Sequence, residues 1–242
     1  MALKTIFNYS PNFNPKKRKS KQIKFIIFHY TGMKRELEAI NKLTNIQSEV
    51  SSHYLIKTNG NIITLVPDLY VAWHAGKSSW KSYKSLNQNS IGIEITNPGH
   101  EFGYKKFSKK QISSLLKLSK FLIKKYKINS KNILGHSDIA PQRKKDPGEK
   151  FLWEYLSKNK IGLWHTLKNQ ELTKNRNLKI NKLEENFFFN NLFKIGYSKK
   201  KQKDTSNDRF LRDVTKAFQR RFRQKLVNGK IDRECLLISK NL

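Results

Sequence analysis

Residues 24–32 read KFIIFHYTG. KFIIF is a continuous apolar run of strand length, without the alternation of a strand that has one wet face. Such a run predicts a buried strand of an α/β sheet. It stops at His29, just before Tyr30, Thr31 and Gly32, where a side chain is well placed to point into a cleft. KNILGH, ending at His136, repeats the arrangement: a short strand with a histidine at its terminus. The 242 residues suffice for one large domain, or for one medium domain plus a small one.

Other segments fill in the frame. Residues 35–47 space Leu37, Ile40 and Leu43 as one helical face. Strands are predicted over 52–57 and 61–66, joined by Asn59-Gly60, a strong hairpin signal. AWHAGKSSW (72–80) reads as a loop. In SIGIEIT (90–96), Ile91, Ile93 and Ile95 share one side of a strand, while Ser90, Gly92 and Glu94 share the other. Residues 108–126 are the clearest helix, opened by Ser108 and Gln111 in a capping-box pattern. The expected division is an N-terminal arm (1–22), an α/β domain (23–167), a polar linker (168–185) and a small helical unit (186–242). In that unit Val214, Phe218 and Phe222 recur every four residues.

The stretch GHSDIAPQRKKDPG (135–148) has only Ile139 and Ala140 as apolar content and reads as a loop too polar to bury itself. Pro141 and Pro147 stiffen it, and Gly148 lets it turn tightly. The single cysteine, Cys235, excludes an internal disulfide framework and any multi-cysteine zinc site. A metal would therefore need His, Asp or Glu. His29, His136 and Asp146 make two imidazoles and one carboxylate, a hydrolytic zinc set that leaves one position open. A lone histidine at a strand end is ordinarily just hydrogen-bonded; the pairing of two such histidines with a stiff, apolar-poor loop points to the metal.

The net charge of +32 invites a nucleic-acid reading. Against it, lysine outnumbers arginine 40 to 10 and the excess is spread along the chain, whereas nucleic-acid readers gather arginine with aromatics on one surface. A basic surface equally suits an anionic cell envelope. No apolar run reaches the ~18 residues of a membrane span, and the N-terminus shows no run of signal-peptide length.

FHYTG (28–32), SSHYLI (51–56), AWHAG (72–76), NSIGIEI (89–95) and GHSDIAPQRKKDPG (135–148) occur in the order, and at about the spacing, of a known family. The chain resembles the zinc-dependent N-acetylmuramoyl-L-alanine amidases of the amidase_2 type over about residues 23–165. The resemblance implies a mixed central β-sheet flanked by helices, the fold shared with phage T7 lysozyme and peptidoglycan recognition proteins. It implies His29, His136 and Asp146 as ligands of one Zn2+, with Glu94 and Lys144 as catalytic residues. His74 and Tyr30 are expected at the substrate groove, and His53 in a structural role. LFKIGY (192–197) and VTKAFQRRFRQ (214–224) resemble the small helical peptidoglycan-binding domain that follows the catalytic domain in some members. The implied substrate is peptidoglycan or its muropeptide fragments, cut by a monomer at the cell envelope, or in the cytoplasm since no signal peptide is visible. A non-catalytic peptidoglycan-recognition protein and a basic nucleic-acid-binding protein stand as alternatives.

Overall fold

The computed structural model describes residues 4–199 and 205–242. Its strands are β1 (Ile6–Phe7), β2 (Phe13–Asn14), β3 (Phe25–Tyr30), β4 (Tyr54–Ile56), β5 (Ile62–Thr64), β6 (Val71–Ala72), β7 (Ser79–Trp80), β8 (Tyr83–Lys84), β9 (Ser90–Ile95) and β10 (Ile133–Gly135). The helices are α1 (Glu36–Thr44), α2 (Lys109–Tyr126), α3 (His136–Ile139), α4 (Trp153–Lys158), α5 (Asn169–Asn175), α6 (Lys182–Ile195), α7 (Asn207–Phe222) and α8 (Arg233–Asn241). A six-stranded mixed sheet runs β1-β5-β4-β9-β3-β10, with β4 and β5 antiparallel and every other neighbouring pair parallel. The expected fold class, a mixed sheet flanked by helices, is what the chain adopts.

Strand β3 explains why its sequence does not alternate. Ile26 and Phe28 point into one core, under α2, while Phe25 and Ile27 point into a second core on the other face. Both faces are dry, so every position is apolar. The strand runs two residues further than the apolar stretch, and His29 is its fifth residue rather than the first residue after it. In α2, Ser108 accepts from the Gln111 amide and the Gln111 side chain accepts in return, the expected capping box. Helix α1 departs from expectation: Leu37 is 66% exposed, and Ala39 and Leu43 carry the buried face.

The second core changes the expected domain picture. Phe25, Ile27, Leu134 and Ile139 from the sheet side share it with Phe188, Leu192, Val214, Phe218, Phe222 and Ile238 from α6, α7 and α8. The C-terminal helices thus cover one face of the six-stranded sheet, which would otherwise expose a row of large apolar side chains to water. The 168–185 passage, expected as a linker, contains α5 with Leu172 buried in that core. The 1–22 arm is likewise tied in: β1 pairs with β5, and β2 with β6.

Histidine 53 is fully buried and structural. The Gly92 amide donates to its Nδ1, while Nε2 lies 2.9 Å from Arg18 Nη2 and 3.1 Å from the Tyr70 carbonyl. Burial first, then the charge of Arg18, lowers its pKa from 6.5 to about 3. The folded state therefore resists a proton that the unfolded chain binds. The stabilisation is complete above pH 6.5 and is lost on acidification towards pH 3, at up to ~1.4 kcal/mol per pH unit. Urea unfolding of wild type and His53→Asn across this window should show a flatter pH dependence for the variant; equal slopes would refute the assignment.

Candidate active site

The parallel register builds the site. Phe25 pairs with Ser90, Ile27 with Gly92 and His29 with Glu94 across β3 and β9, so these residues share one face of the sheet. Leu134 on β10 pairs with Ile27, and His136 follows two residues later, beyond the strand end. The face is apolar where the C-terminal helices cover it and turns polar at the carboxyl ends of the strands. That end is where open α/β sheets place ligands.

His29, His136 and Asp146 meet there, all three buried. The two Nδ1 atoms lie 2.9 Å apart, and each is 3.0 Å from Asp146 Oδ2. His136 Nε2 lies 3.2 Å from the Ala75 carbonyl, an oxygen that only accepts. With its proton on Nε2 the ring turns the Nδ1 lone pair towards the Asp146 carboxylate, the orientation in which Nδ1 can bind a cation. Burial works against the Asp146 charge, but His136 and His29 outweigh it and hold the carboxyl well below the usual range. Burial, then the neighbouring His136, lowers His29 from 6.5 to about 4. Two imidazoles and a carboxylate converging on one point make an arrangement a cation satisfies, and N,N,O donors suit zinc or a similar dication.

The stretch carrying two of these groups is not the loop its polarity suggested. His136–Ile139 forms one buried helical turn, because its polar groups find partners. Asp138 Oδ2 accepts from the Gly135 amide (2.8 Å) and from Arg221 (2.6 Å), and Oδ1 accepts from the Tyr197 hydroxyl (2.7 Å). The chain then folds back: the Ser137 amide donates to the Asp146 carbonyl, and Pro147 packs so close to Gly135 that a Cβ there would sit 2.6 Å from its Cδ.

Glu94 stands in the same cleft with its Oε2 buried and without a hydrogen-bond partner. Burial, then the Asp146 charge, pushes it up to about 8, while Lys144 and Lys42 pull the other way. Lys144 and Tyr30 line the cleft, whose volume is about 340 Å³. The Tyr30 hydroxyl reaches His100 at 2.9 Å, and His100 reaches Glu149 at 3.0 Å, a polar rim that the sequence did not signal. Arg143 was also not anticipated; it donates to the Ala75 and Lys77 carbonyls and lines the cleft beside Lys144. His74 is buried behind His29, at 3.0 Å from its Nε2.

A buried His-His-Asp cluster beside an unpartnered glutamate, at the carboxyl edge of an α/β sheet, defines a candidate metallohydrolase centre. Residues 19–149 match the family model described as "Amidase_2: N-acetylmuramoyl-L-alanine amidase". The chain is 35% identical over 233 residues to the N-acetylmuramoyl-L-alanine amidase AmiD of Escherichia coli, covering 91% of this chain and 82% of that protein. It is 42% identical over 113 residues to the 1,6-anhydro-N-acetylmuramyl-L-alanine amidase AmpD of Haemophilus influenzae, covering 46% and 59%. A solved complex of E. coli AmiD with anhydro-N-acetylmuramic acid-L-Ala-D-γ-Glu-L-Lys superposes with a TM-score of 0.78 at 34% identity, covering 91% of this chain and 88% of that one. The chain belongs to the N-acetylmuramoyl-L-alanine amidase family, Amidase_2, and is a hydrolase of that family.

Proposed function

We propose that this amidase is a one-zinc enzyme that cuts the amide between the lactyl group of N-acetylmuramic or 1,6-anhydro-muramic acid and the L-alanine of peptidoglycan stem peptides. The carrying observation is the convergence of His29 Nδ1, His136 Nδ1 and Asp146 Oδ2 beside the unpartnered Oε2 of Glu94. A zinc ion held by His29, His136 and Asp146 would supply Lewis acidity, lowering the pKa of water towards about 7 and polarising the scissile carbonyl.

The chain's own groups account for the remaining work. Glu94 Oε2 takes the proton of the attacking water and returns it to the leaving nitrogen of alanine. A carboxylate poised near neutrality, as burial and Asp146 make this one, suits both transfers. Lys144, in the same cleft, places its ammonium where the oxyanion of the tetrahedral transition state develops. Tyr30 lines the groove that receives the substrate. A merely peptidoglycan-binding role would leave a buried, unpaired carboxylate with no purpose.

The net charge of +32 supports work on an anionic cell-wall surface, so we place the enzyme at the envelope; no helix of the described residues is long and apolar enough to cross a membrane. Digestion of purified sacculi and of defined muropeptides, read by mass spectrometry, tests the whole reading. Release of peptides beginning with L-alanine is expected, abolished by a chelator and restored by zinc. Chelator-insensitive release would overturn the metal, and no release from either substrate would overturn the reaction.

A further inference from the structure

Hydrogen-bond polarity can be followed outward from the cleft, starting at the far end. The Ser90 hydroxyl has one hydrogen and lies 2.6 Å from the Leu86 carbonyl, which only accepts. Its oxygen is then left to accept from His74 Nε2, 3.1 Å away, so His74 carries its proton on Nε2. His74 Nδ1 keeps a lone pair facing His29 Nε2 at 3.0 Å, and His29 donates there. The remaining nitrogen of His29, Nδ1, is left bare towards His136 and Asp146.

We propose that His74 and Ser90 are positioning residues for the metal: the Leu86 carbonyl, Ser90 and His74 form a one-way relay that fixes His29 as the tautomer whose Nδ1 is free to bind. This rests on the zinc reading above. His74 lines the cleft, as the sequence placed it, and the relay gives it a further task at the back of a ligand. The surroundings are built for that ring. A Cβ on Gly92 would come within 2.5 Å of His74 Cγ, so only glycine admits it. Asn87 Oδ1 accepts from the amides of both His74 (3.1 Å) and Ala75 (2.7 Å), which fixes the loop carrying it. One face of β9 thus serves the site three times: Ser90 orients the relay, Gly92 makes room for it, and Glu94 enters the cleft. Outer partners of this kind set both the orientation and the basicity of a histidine ligand.

The test is zinc affinity of the full chain, measured at equilibrium against a chromophoric chelator, with the melting temperature of each metal-free variant alongside. His74→Leu, similar in bulk but unable to accept, should bind zinc about 10- to 100-fold more weakly. His74→Asn, whose Oδ1 can replace Nδ1 as acceptor, should stay within about threefold of wild type. Ser90→Ala, which frees His74 to exchange tautomers, should fall between them. A purely structural role would lower the melting temperature of His74→Leu and leave its zinc affinity unchanged, and that result would overturn the relay. If His74→Leu does not fold, the comparison passes to Ser90→Ala, and wild-type affinity there overturns it equally. A wild-type chain that takes up no zinc would overturn the metal reading itself.

Discussion

Glu94→Gln should retain zinc and fold yet lose about 10²-fold or more in kcat, the scale expected when a general base is removed. The substitution is nearly isosteric, and it places an amide where a carboxylate stood without a partner. Because Glu94 Oε2 makes no hydrogen bond, no native contact is broken. Burial already disfavours the charged form, so the neutral amide should be tolerated or mildly stabilising. Two results are therefore expected together: a melting temperature at or above that of wild type, and a kcat collapse with KM little changed. That combination separates catalysis from architecture, since a structural carboxylate would show the reverse. Stoichiometric zinc measured in the same preparation removes the remaining ambiguity. Turnover within threefold of wild type in the zinc-loaded variant would end the general-base assignment; the threshold lies far inside the ~10²-fold loss expected.

The site was legible to the extent that its residues sit in regular strands. The strand end put His29 at a cleft and period-two alternation set Glu94 apart from the isoleucines, but that the two share a face follows from the register of β3 and β9. By the same alternation Ser90 and Gly92 fall on the Glu94 side, yet nothing in the sequence pairs that side with a histidine from the 72–80 loop. That contact depends on how a loop returns over the sheet, which local pattern does not encode. The short helix at His136 escapes the sequence for a related reason. Its four residues look too polar to bury, and the groups that make burial possible, Tyr197 and Arg221, lie 59 and 83 residues from Asp138. Polar content predicts exposure only until a distant partner supplies the countercharge. The same blindness produced the expectation of a linker and a separate helical unit. The Phe218 and Phe222 stripe is apolar as expected, but a stripe does not say which surface it will cover.

That surface is the catalytic sheet, and Arg221 is where the consequence is largest. Its guanidinium donates to Asp138 Oδ2 at 2.6 Å and to the Ile133 carbonyl at 2.9 Å, and it lies 4.4 Å from the centre of the Trp153 ring. Both members of the ion pair are almost wholly out of water, at 2% and 1% side-chain exposure. Arg221→Met should cost about 3–5 kcal/mol in urea unfolding at 25 °C, the penalty for leaving one buried charge without its partner. Most of that cost belongs to the orphaned Asp138 rather than to the lost contact. The double variant Arg221→Met with Asp138→Asn should accordingly recover much of the loss, since the side-chain carbonyl it leaves at position 138 can still accept from the Gly135 amide or the Tyr197 hydroxyl. A cost below about 1 kcal/mol in Arg221→Met would put the pair on the scale of exposed ion pairs and refute the argument. Because Asp138 caps the turn that begins with His136, the destabilised chain should also hold zinc less tightly, whereas the double variant should regain it. A helical appendage joined only by a tether would show neither effect. The expected outcome makes the C-terminal helices part of the catalytic fold: they close the second core, and through Arg221 and Tyr197 they hold the turn from which the site takes a histidine.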